Sequence, residues 1–243
     1  MNKYVLFFSK EGYSKYTSHL DMLRLFKRAF RRAGIALSYS HGFNPHPQMS
    51  FAQPLSLGYS AEREMLEFDT DEPYDTQEIL ARLQGKLADG MDISEVLPVR
   101  EKKALAGQVS RADYEILIPV PFYDRDYRKV TEGFLAQDHI LAMKRQKKTK
   151  ELKEVDIREK IVSMDAVPSA GGQGADILKR NLLQLNVRLD CGSQSNLSPE
   201  QLISAFLKYA DLDIERYRIE VCRKCMHFPE ESGLEAEFGG TRG

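Results

Sequence analysis

The sequence contains no tryptophan and only three cysteines. Three cysteines cannot supply a disulfide framework, so we expect a protein of the reducing cytoplasm. No apolar run approaches the roughly 20 residues that a membrane-spanning helix needs, which predicts no membrane association. The longest early apolar run, residues 4–8, is also too short for the core of a signal peptide.

Common catalytic motifs are missing as well. The sequence has no P-loop glycine pattern, no G-x-G-x-x-G after its first predicted strand, no G-x-S-x-G and no H-E-x-x-H. These absences exclude the usual signatures of nucleotide-binding proteins, serine hydrolases and zinc peptidases. We therefore predict no cofactor, and we favour a non-catalytic protein over an enzyme.

Charged residues are plentiful but unevenly distributed. The net charge is −1, yet residues 1–50 hold eight lysines and arginines against two acidic residues, and residues 144–160 hold eight against four. Two basic segments in a nearly neutral chain indicate local recognition of anions rather than general attraction to polyanions. The hydrophobic fraction of 42% is sufficient for a buried core.

The first hundred residues alternate between strand and helix patterns. Strands are predicted at residues 3–9, 35–40, 65–69 and 91–99, and helices at residues 19–33 and 76–88. Ser18 and Gly34 are suitable N-terminal and C-terminal caps for the first helix. The order β-α-β-β-α-β predicts a ferredoxin-like domain over residues 1–100.

A similar order follows a polar linker at residues 100–111. Strands are predicted at residues 114–120, 139–144, 155–164, 182–189 and 216–221, and helices at residues 123–135 and after Ser198. We predict a second domain over residues 112–228, so the fold class is α+β with two ferredoxin-like halves. Residues 168–174 are expected to form a flexible loop, and residues 229–243 a flexible acidic tail.

The first predicted helix separates apolar from basic residues. Its apolar face holds Met22, Phe26, Ala29, Phe30 and Ala33, and its basic face holds Arg24, Lys27, Arg28 and Arg31, with Arg32 at the edge. One interpretation is an ordinary solvated face. The other is a phosphate-binding row, because Asp21 is the helix's only acidic residue and the planar fork of arginine suits phosphate oxygens.

The loop that follows the second predicted strand concentrates polar and aromatic residues. His41, Phe43, Asn44 and His46 fall within six residues that are stiffened by two prolines. Such a loop suits base stacking and hydrogen bonding to base edges. Acid–base catalysis by the two histidines is an alternative. A structural turn with Phe43 anchored in the core is the third interpretation.

Two further features are candidate sites. His19 lies in the first turn of the predicted helix, where it could help to hold a phosphate or bond to a neighbouring loop. Cys222, Cys225 and His227 resemble half of a zinc site. A single C-x-x-C is a weak signal, and strand alternation places the two cysteines on opposite faces. We therefore expect no metal there.

The N-terminal segment resembles the radical SAM-linked protein family, also called radical SAM-associated, a bacterial family of undefined function. The similarity covers roughly residues 3–68. It is carried by Lys10-Glu11-Gly12, Ser18-His19-Leu20-Asp21, Arg24, Arg28-Ala29, Arg31-Arg32-Ala33, Tyr39-Ser40, Gly42-Phe43-Asn44-Pro45-His46-Pro47, Phe51-Ala52, Pro54-Leu55 and Leu57-Gly58. Cys222 and Cys225 are not part of the family's pattern.

This resemblance implies a partner enzyme and an RNA setting. Family members are typically encoded beside, or fused to, a B12-binding-type radical SAM protein, and often lie near ribonuclease G and ribosomal protein genes. This chain lacks the CxxxCxxC iron–sulfur motif, so it is not itself a conventional radical SAM enzyme. At the level of the fold, it also resembles the repeat-processing endoribonucleases of CRISPR systems.

The sequence therefore favours an accessory protein that binds RNA, either tRNA or rRNA, or another phosphate-bearing substrate for a radical SAM partner. The ligand-binding residues we expect are His19, Arg24, Lys27, Arg28, Arg31, Arg32, His41, Phe43, Asn44 and His46. One alternative is a metal-independent endoribonuclease that uses His41 and His46. The other is a module that only binds proteins.

Overall fold

The computed structural model describes residues 2–101, 103–120, 125–146, 149–170 and 181–240. The chain divides into two compact units. Unit 1 is Met1–Val109 together with Arg223–Gly243, and unit 2 is Ser110–Cys222. Unit 1 is thus assembled from two stretches that are far apart in the sequence.

Unit 1 contains an antiparallel sheet with two helices. Its strands include β1 (Asn2–Lys10), β2 (Met49–Phe51), β3 (Ser60–Thr70) and β4 (Ile93–Pro98), and its first helices are α1 (His19–Ala33) and α2 (Thr76–Leu83). Strand β1 lies between β3 and β4 and pairs antiparallel with both. Strand β2 pairs with the other side of β3. The first three long strands therefore lie in the order β4-β1-β3, and the short β2 is an additional partner of β3.

Both helices pack on one face of this sheet. Tyr4, Leu6 and Phe8 of β1 join the apolar residues of α1 and α2 in a single core. Aromatic rings dominate the contact: the ring centroids of Phe8 and Phe26 are 4.9 Å apart, and those of Phe30 and Phe68 are 4.6 Å apart. This core fixes which face of α1 is left for solvent.

The predicted first helix is confirmed at both ends. The Ser18 hydroxyl accepts a hydrogen bond from the Asp21 N–H, and Gly34 adopts a left-handed conformation with φ of 67°. A left-handed residue at this position suits glycine, which has no Cβ to clash with the backbone.

The predicted strand at residues 35–40 is wrong. This segment makes only two isolated bridges, Leu37 with Thr70 and Tyr39 with Pro47. Its backbone pairs with the returning limb of the following loop, because the Gln48 N–H donates to the Ser38 carbonyl over 2.7 Å. The strand that does join the sheet is the short β2, which begins after the loop.

Unit 2 has a three-stranded antiparallel sheet and a separate hairpin. Its elements are β5 (Arg111–Pro119), α3 (Tyr127–Leu135), β6 (Leu141–Arg145), β7 (Leu152–Asp156), β8 (Ile161–Ala170), β9 (Asn181–Asp190) and α4 (Pro199–Tyr209). Strand β9 pairs with β5 and β8. Strands β6 and β7 pair with each other. The Ser198 hydroxyl caps α4 as expected.

Two predicted elements of unit 2 differ in the structure. The predicted strand at residues 155–164 is interrupted, because Asp156 accepts hydrogen bonds from the N–H groups of Ile140 and Arg158 and turns the chain between β7 and β8. The loop predicted at residues 168–174 begins inside β8, which continues to Ala170. Residues 171–174 lie outside the described residues.

The last strand, β10 (Glu220–His227), carries the chain back into unit 1, where it lies beside β3. It begins later than the predicted strand at residues 216–221, since Arg216–Arg218 forms a short 3₁₀ turn. Beyond it, α5 (Leu234–Phe238) buries Leu234 and Phe238 in unit 1. This packing differs from the flexible tail expected over residues 229–243.

The linker expected at residues 100–111 also belongs largely to unit 1. Leu105 is fully buried, and its N–H donates to the Glu67 carboxylate over 2.9 Å. Five helices and ten strands make the described part of the protein an α+β structure. None of the helices in that part has the length and apolar character needed to cross a bilayer.

Candidate functional site

The basic side chains of α1 project into solvent. Arg24, Lys27, Arg28, Arg31 and Arg32 are all exposed, while Met22, Phe26, Ala29 and Phe30 are buried. The predicted division of the helix into a core face and a basic face is therefore observed. Ala33, expected on the core face, is only half-buried.

Three of the five cations have local contacts. Arg24 Nη1 lies 2.9 Å from Asp21 Oδ1, and an Arg32 guanidinium nitrogen donates to the Lys86 carbonyl. Lys27 Nζ lies 5.7 Å from the centroid of the Tyr39 ring. Within the described residues, Arg28 and Arg31 form no ion pair and no side-chain hydrogen bond.

Asp21 does not neutralise this face. Its carboxylate accepts a hydrogen bond from the Ser18 hydroxyl over 2.7 Å while its own N–H is capped by the same oxygen. The Ser18 hydrogen bond, and next the hydrogen bond from Arg24, lower the pKa of Asp21. The only acidic group of α1 is thus committed to the N-terminal cap and to one arginine.

The loop at residues 41–46 stands clear of the core. His41, Phe43, Asn44 and His46 are all exposed, and the Phe43 ring makes no packing contact that would anchor it. The structural-turn interpretation required Phe43 to be buried, and it is not.

Ser40 closes this loop. The Ser40 N–H donates to the His46 carbonyl over 2.8 Å, and the Ser40 hydroxyl accepts from the His46 N–H over 3.0 Å. Gly42 adopts a φ of 131°, a conformation that L side chains rarely take. In the described part of the chain, neither imidazole of the loop has a hydrogen-bond or ion-pair partner. The loop is therefore closed at its base, and no group among the described residues orients either histidine for catalysis.

Lys27 and Tyr39 place the basic helix face beside the base of this loop. Tyr39 immediately precedes Ser40 and is itself partly exposed. We call the combined region the α1–loop surface; it consists of Arg24, Lys27, Arg28, Arg31, Tyr39, His41, Phe43, Asn44 and His46. The structure thus joins two features that the sequence treated separately.

His19 lies at a different place, at the mouth of a pocket. Its ring makes an edge contact with Phe51 at a centroid distance of 5.3 Å. The pocket lies under the N-terminus of α1 and is lined by Phe8, Lys10, Thr17, His19, Met22, Phe51, Gln53, Leu55 and Glu64. The sequence interpretation of His19 did not include this pocket.

The sequence reasoning missed three charged residues around the pocket. Lys10, Glu64 and Arg223 are each no more than 3% exposed. Arg223 Nε donates to Glu64 Oε1 over 2.6 Å, and Arg223 Nη2 donates to Glu64 Oε2 and to the Gln53 carbonyl. The sequence does contain a signal for Lys10. It follows Leu6 and Phe8 at the two-residue spacing of a strand, which places its side chain on the inward face. No comparable signal joins Glu64 to Arg223.

The predicted cysteine–histidine feature is only partly assembled within unit 1. Cys225 is buried, and its Sγ lies 3.5 Å from His227 Nε2, while His227 Nδ1 lies 2.7 Å from Glu235 Oε1. Cys222 is half-buried and is the last residue of unit 2. Glu235 holds the His227 ring in place, a partner that sequence spacing did not suggest.

The fold and the exposed residues define an α+β protein with a cationic surface on its first helix. A family described as an uncharacterized protein conserved in bacteria (DUF2344) matches residues 3–199, so the chain belongs to that family. The match includes α1, its loop and most of unit 2. A search of curated proteins found none that matches this sequence.

Proposed function

We propose that this protein is a non-catalytic accessory protein that binds RNA through the α1–loop surface and presents it to a radical SAM enzyme of the B12-binding type. The observation that carries the RNA part is the contact between Lys27 and Tyr39, which joins a row of cations to a loop with exposed aromatic and imidazole rings. The radical SAM part rests on the resemblance of residues 3–68 to that family.

The spacing of the cations supports a phosphate ligand. Arg24, Arg28 and Arg31 follow one another at intervals of three or four residues, about one helical turn of ~5.4 Å. Arg28 and Arg31 have the whole of their guanidinium groups available to a ligand. A row of unneutralised cations destabilises an isolated helix, and bound phosphates would relieve that repulsion.

The loop supports a nucleic acid rather than a simple anion. The exposed Phe43 ring keeps apolar surface in contact with water, which is unfavourable, and it contributes nothing to the core. Stacking on an RNA base would bury the ring. His41, Asn44 and His46 add donors and acceptors within reach of base edges or the sugar–phosphate backbone. Single-stranded RNA offers both phosphates and unstacked bases.

The role we assign is binding, not cleavage. A metal-free ribonuclease needs one imidazole as base and another as acid, and a base is normally held by a third group. Neither His41 nor His46 has such a group among the described residues. The order β4-β1-β3, with β2 and β10 both beside β3 and with α1 and α2 on one face, also supports the assignment of unit 1 to the ferredoxin-like class, which hosts many unrelated functions.

The RNA part is tested by fluorescence anisotropy with a labelled single-stranded RNA and the full chain. Arg28→Gln combined with Arg31→Gln should weaken binding and reduce the slope of log K against log salt by about 1.4, since each phosphate contact contributes about 0.7. The matched control is Lys103→Gln with Lys208→Gln, which removes two exposed positive charges that lie outside both basic segments. Equal losses in both variants would contradict a defined surface.

The partnership is tested separately by affinity capture of the tagged protein from its native cell. A radical SAM enzyme should be recovered, and recovery should persist after ribonuclease treatment if the contact is direct. Iron–sulfur absorbance after reconstitution of the isolated chain would contradict this division of labour.

A further inference from the structure

The pocket under the N-terminus of α1 has a wall of mixed character. It encloses about 300 Å³, part of it open to solvent. Phe8, Met22, Phe51 and Leu55 supply apolar surface, while Lys10 and Glu64 supply charge. Pockets that bind small organic molecules combine apolar walls with a few polar groups in this way.

Lys10 is the charged residue of the pocket with hydrogen-bond donors to spare. Its Nζ donates one hydrogen bond, to the Thr17 carbonyl over 3.2 Å, although an ammonium group has three donors. Within the described residues no carboxylate approaches Lys10 closely enough to form an ion pair. Two N–H donors of a side chain that is only 3% exposed are therefore left without a protein acceptor. Unsatisfied buried donors are costly and call for a partner.

Glu64 is not that partner. Both of its carboxylate oxygens are engaged by Arg223. Arg223 also donates to the carbonyl of Gln53, which lines the pocket, and to that of the adjacent Pro54. The arginine–glutamate pair thus shapes the pocket but leaves the positive charge of Lys10 without a matching anion.

We infer that this pocket binds a small monocarboxylate with an apolar body. The carboxylate would accept hydrogen bonds from Lys10 Nζ, and the body would lie against Phe51, Met22 and Leu55, with His19 at the mouth. One unmatched positive charge is balanced by one negative charge. A doubly charged phosphate would leave a surplus negative charge beside the buried side chains of Lys10 and Glu64.

This inference is independent of RNA binding. The pocket residues do not include the exposed cations of the α1–loop surface, so loss of one activity need not affect the other. Burial lowers the pKa of Lys10 and Glu64 partly opposes that effect. A bound carboxylate would favour the charged lysine, so its affinity should decline at alkaline pH.

The test is isothermal titration of the full chain with benzoate and hexanoate at neutral pH. Saturable binding at one site per chain is expected, with benzamide, the uncharged analogue of benzoate, at least about ten-fold weaker because it lacks the charge-assisted hydrogen bond. Inorganic phosphate should not compete. Absence of benzoate and hexanoate binding, or equal affinity for benzamide, would overturn the inference.

Two variants locate the site. Lys10→Met keeps an unbranched side chain without the charge and should lower benzoate affinity at least about ten-fold. If that variant fails to fold by near-ultraviolet circular dichroism, Leu55→Trp provides the second test, because Leu55 is only half-buried and the larger ring would fill the pocket. Unchanged benzoate affinity in Leu55→Trp would overturn the inference. Arg28→Gln is the control that should bind benzoate normally.

Discussion

Arg223 and Glu64 are separated by 159 positions in the sequence and form a two-point ion pair in the interior of unit 1. Arg223 also bonds to two carbonyls of the segment between β2 and β3. Desolvating two charges is expensive, and good geometry with additional hydrogen bonds is what offsets that cost.

Removing one partner of this pair should destabilise the protein strongly. Glu64→Gln leaves the Arg223 guanidinium buried without a counter-charge, and we expect the free energy of unfolding to fall by about 3–5 kcal/mol. Urea denaturation measures the loss. Arg63→Gln, at the neighbouring position of β3, is the comparison variant, because it removes a charge that is less buried. A loss no larger than in that comparison would contradict the expected role.

Lys10 should make stability depend on pH. Its pKa in the folded protein is lowered, chiefly by burial, so between that value and the ordinary 10.5 the unfolded chain binds more protons. The free energy of unfolding should therefore rise with pH in this alkaline window. Denaturation of the native protein and of Lys10→Met at several pH values isolates the effect, because the other titrating groups are shared. A pH-independent difference between the two proteins would refute it.

His139 and Asp156 form an exposed pair on the β6–β7 hairpin, with 2.7 Å between Nδ1 and Oδ2. Asp156 raises the pKa of His139, while the hydrogen bond from the Arg158 N–H and next that from His139 lower the pKa of Asp156 to about 2. The contribution of His139 to stability is present below its unfolded pKa and is lost as pH rises through the raised value. The contribution of Asp156 is present above its unfolded pKa and is lost as pH falls through about 2.

An NMR titration of His139 checks this pair. In Asp156→Asn the pKa of His139 should return towards 6.5, since the amide carries no charge. A His139 titration that does not respond to the substitution would show that the pair does not persist in solution.

Helix α5 should contribute to the stability of unit 1. Phe238→Ala removes a ring that is 1% exposed, and we expect it to cost about 3–5 kcal/mol. Ala236→Ser, an exposed position of the same helix, should have little effect. Thermal unfolding distinguishes this packing from a flexible tail, for which both variants would behave like the native protein.

Phe43 should matter for RNA and not for folding. Because its ring is fully exposed, Phe43→Ala should leave the free energy of unfolding unchanged. If a base stacks on the ring, RNA affinity should fall by about 1–3 kcal/mol. Metal-free cleavage of RNA by the native protein, abolished in His41→Ala or His46→Ala, would instead favour the endoribonuclease alternative.

The parts of the fold that the sequence predicted depend on local interactions. Ser18, Gly34 and the spacing of Met22 and Phe26 act within one helix, so α1 could be placed correctly from the sequence. The segment at residues 35–40 has the composition of a strand, but its pairing depends on how Ser38 and Ser40 meet the far limb of the loop. The composition of residues 35–40 therefore does not predict which residues they pair with.

Long-range charge pairing was the main obstacle for the site. The row of cations on α1 follows from helical periodicity alone, whereas the pocket requires Lys10 and Glu64 to meet on one face of a sheet and Arg223 to reach them from the far end of the chain. The prediction of a flexible tail failed for a related reason. The acidic residue Glu235 accepts a hydrogen bond from the Phe228 N–H and pairs with His227, and neighbouring apolar residues of its helix are buried.

The two-segment construction of unit 1 has a consequence for biosynthesis. At about 5–20 residues per second, Arg223 is translated roughly 8–30 s after Glu64. During that interval the nascent β1 and β3 present Lys10 and Glu64 without the guanidinium that finally covers Glu64. Unit 2 is synthesised during this interval. Unit 1 is therefore begun first but completed last, because its interior is not fully paired until β10 has been translated.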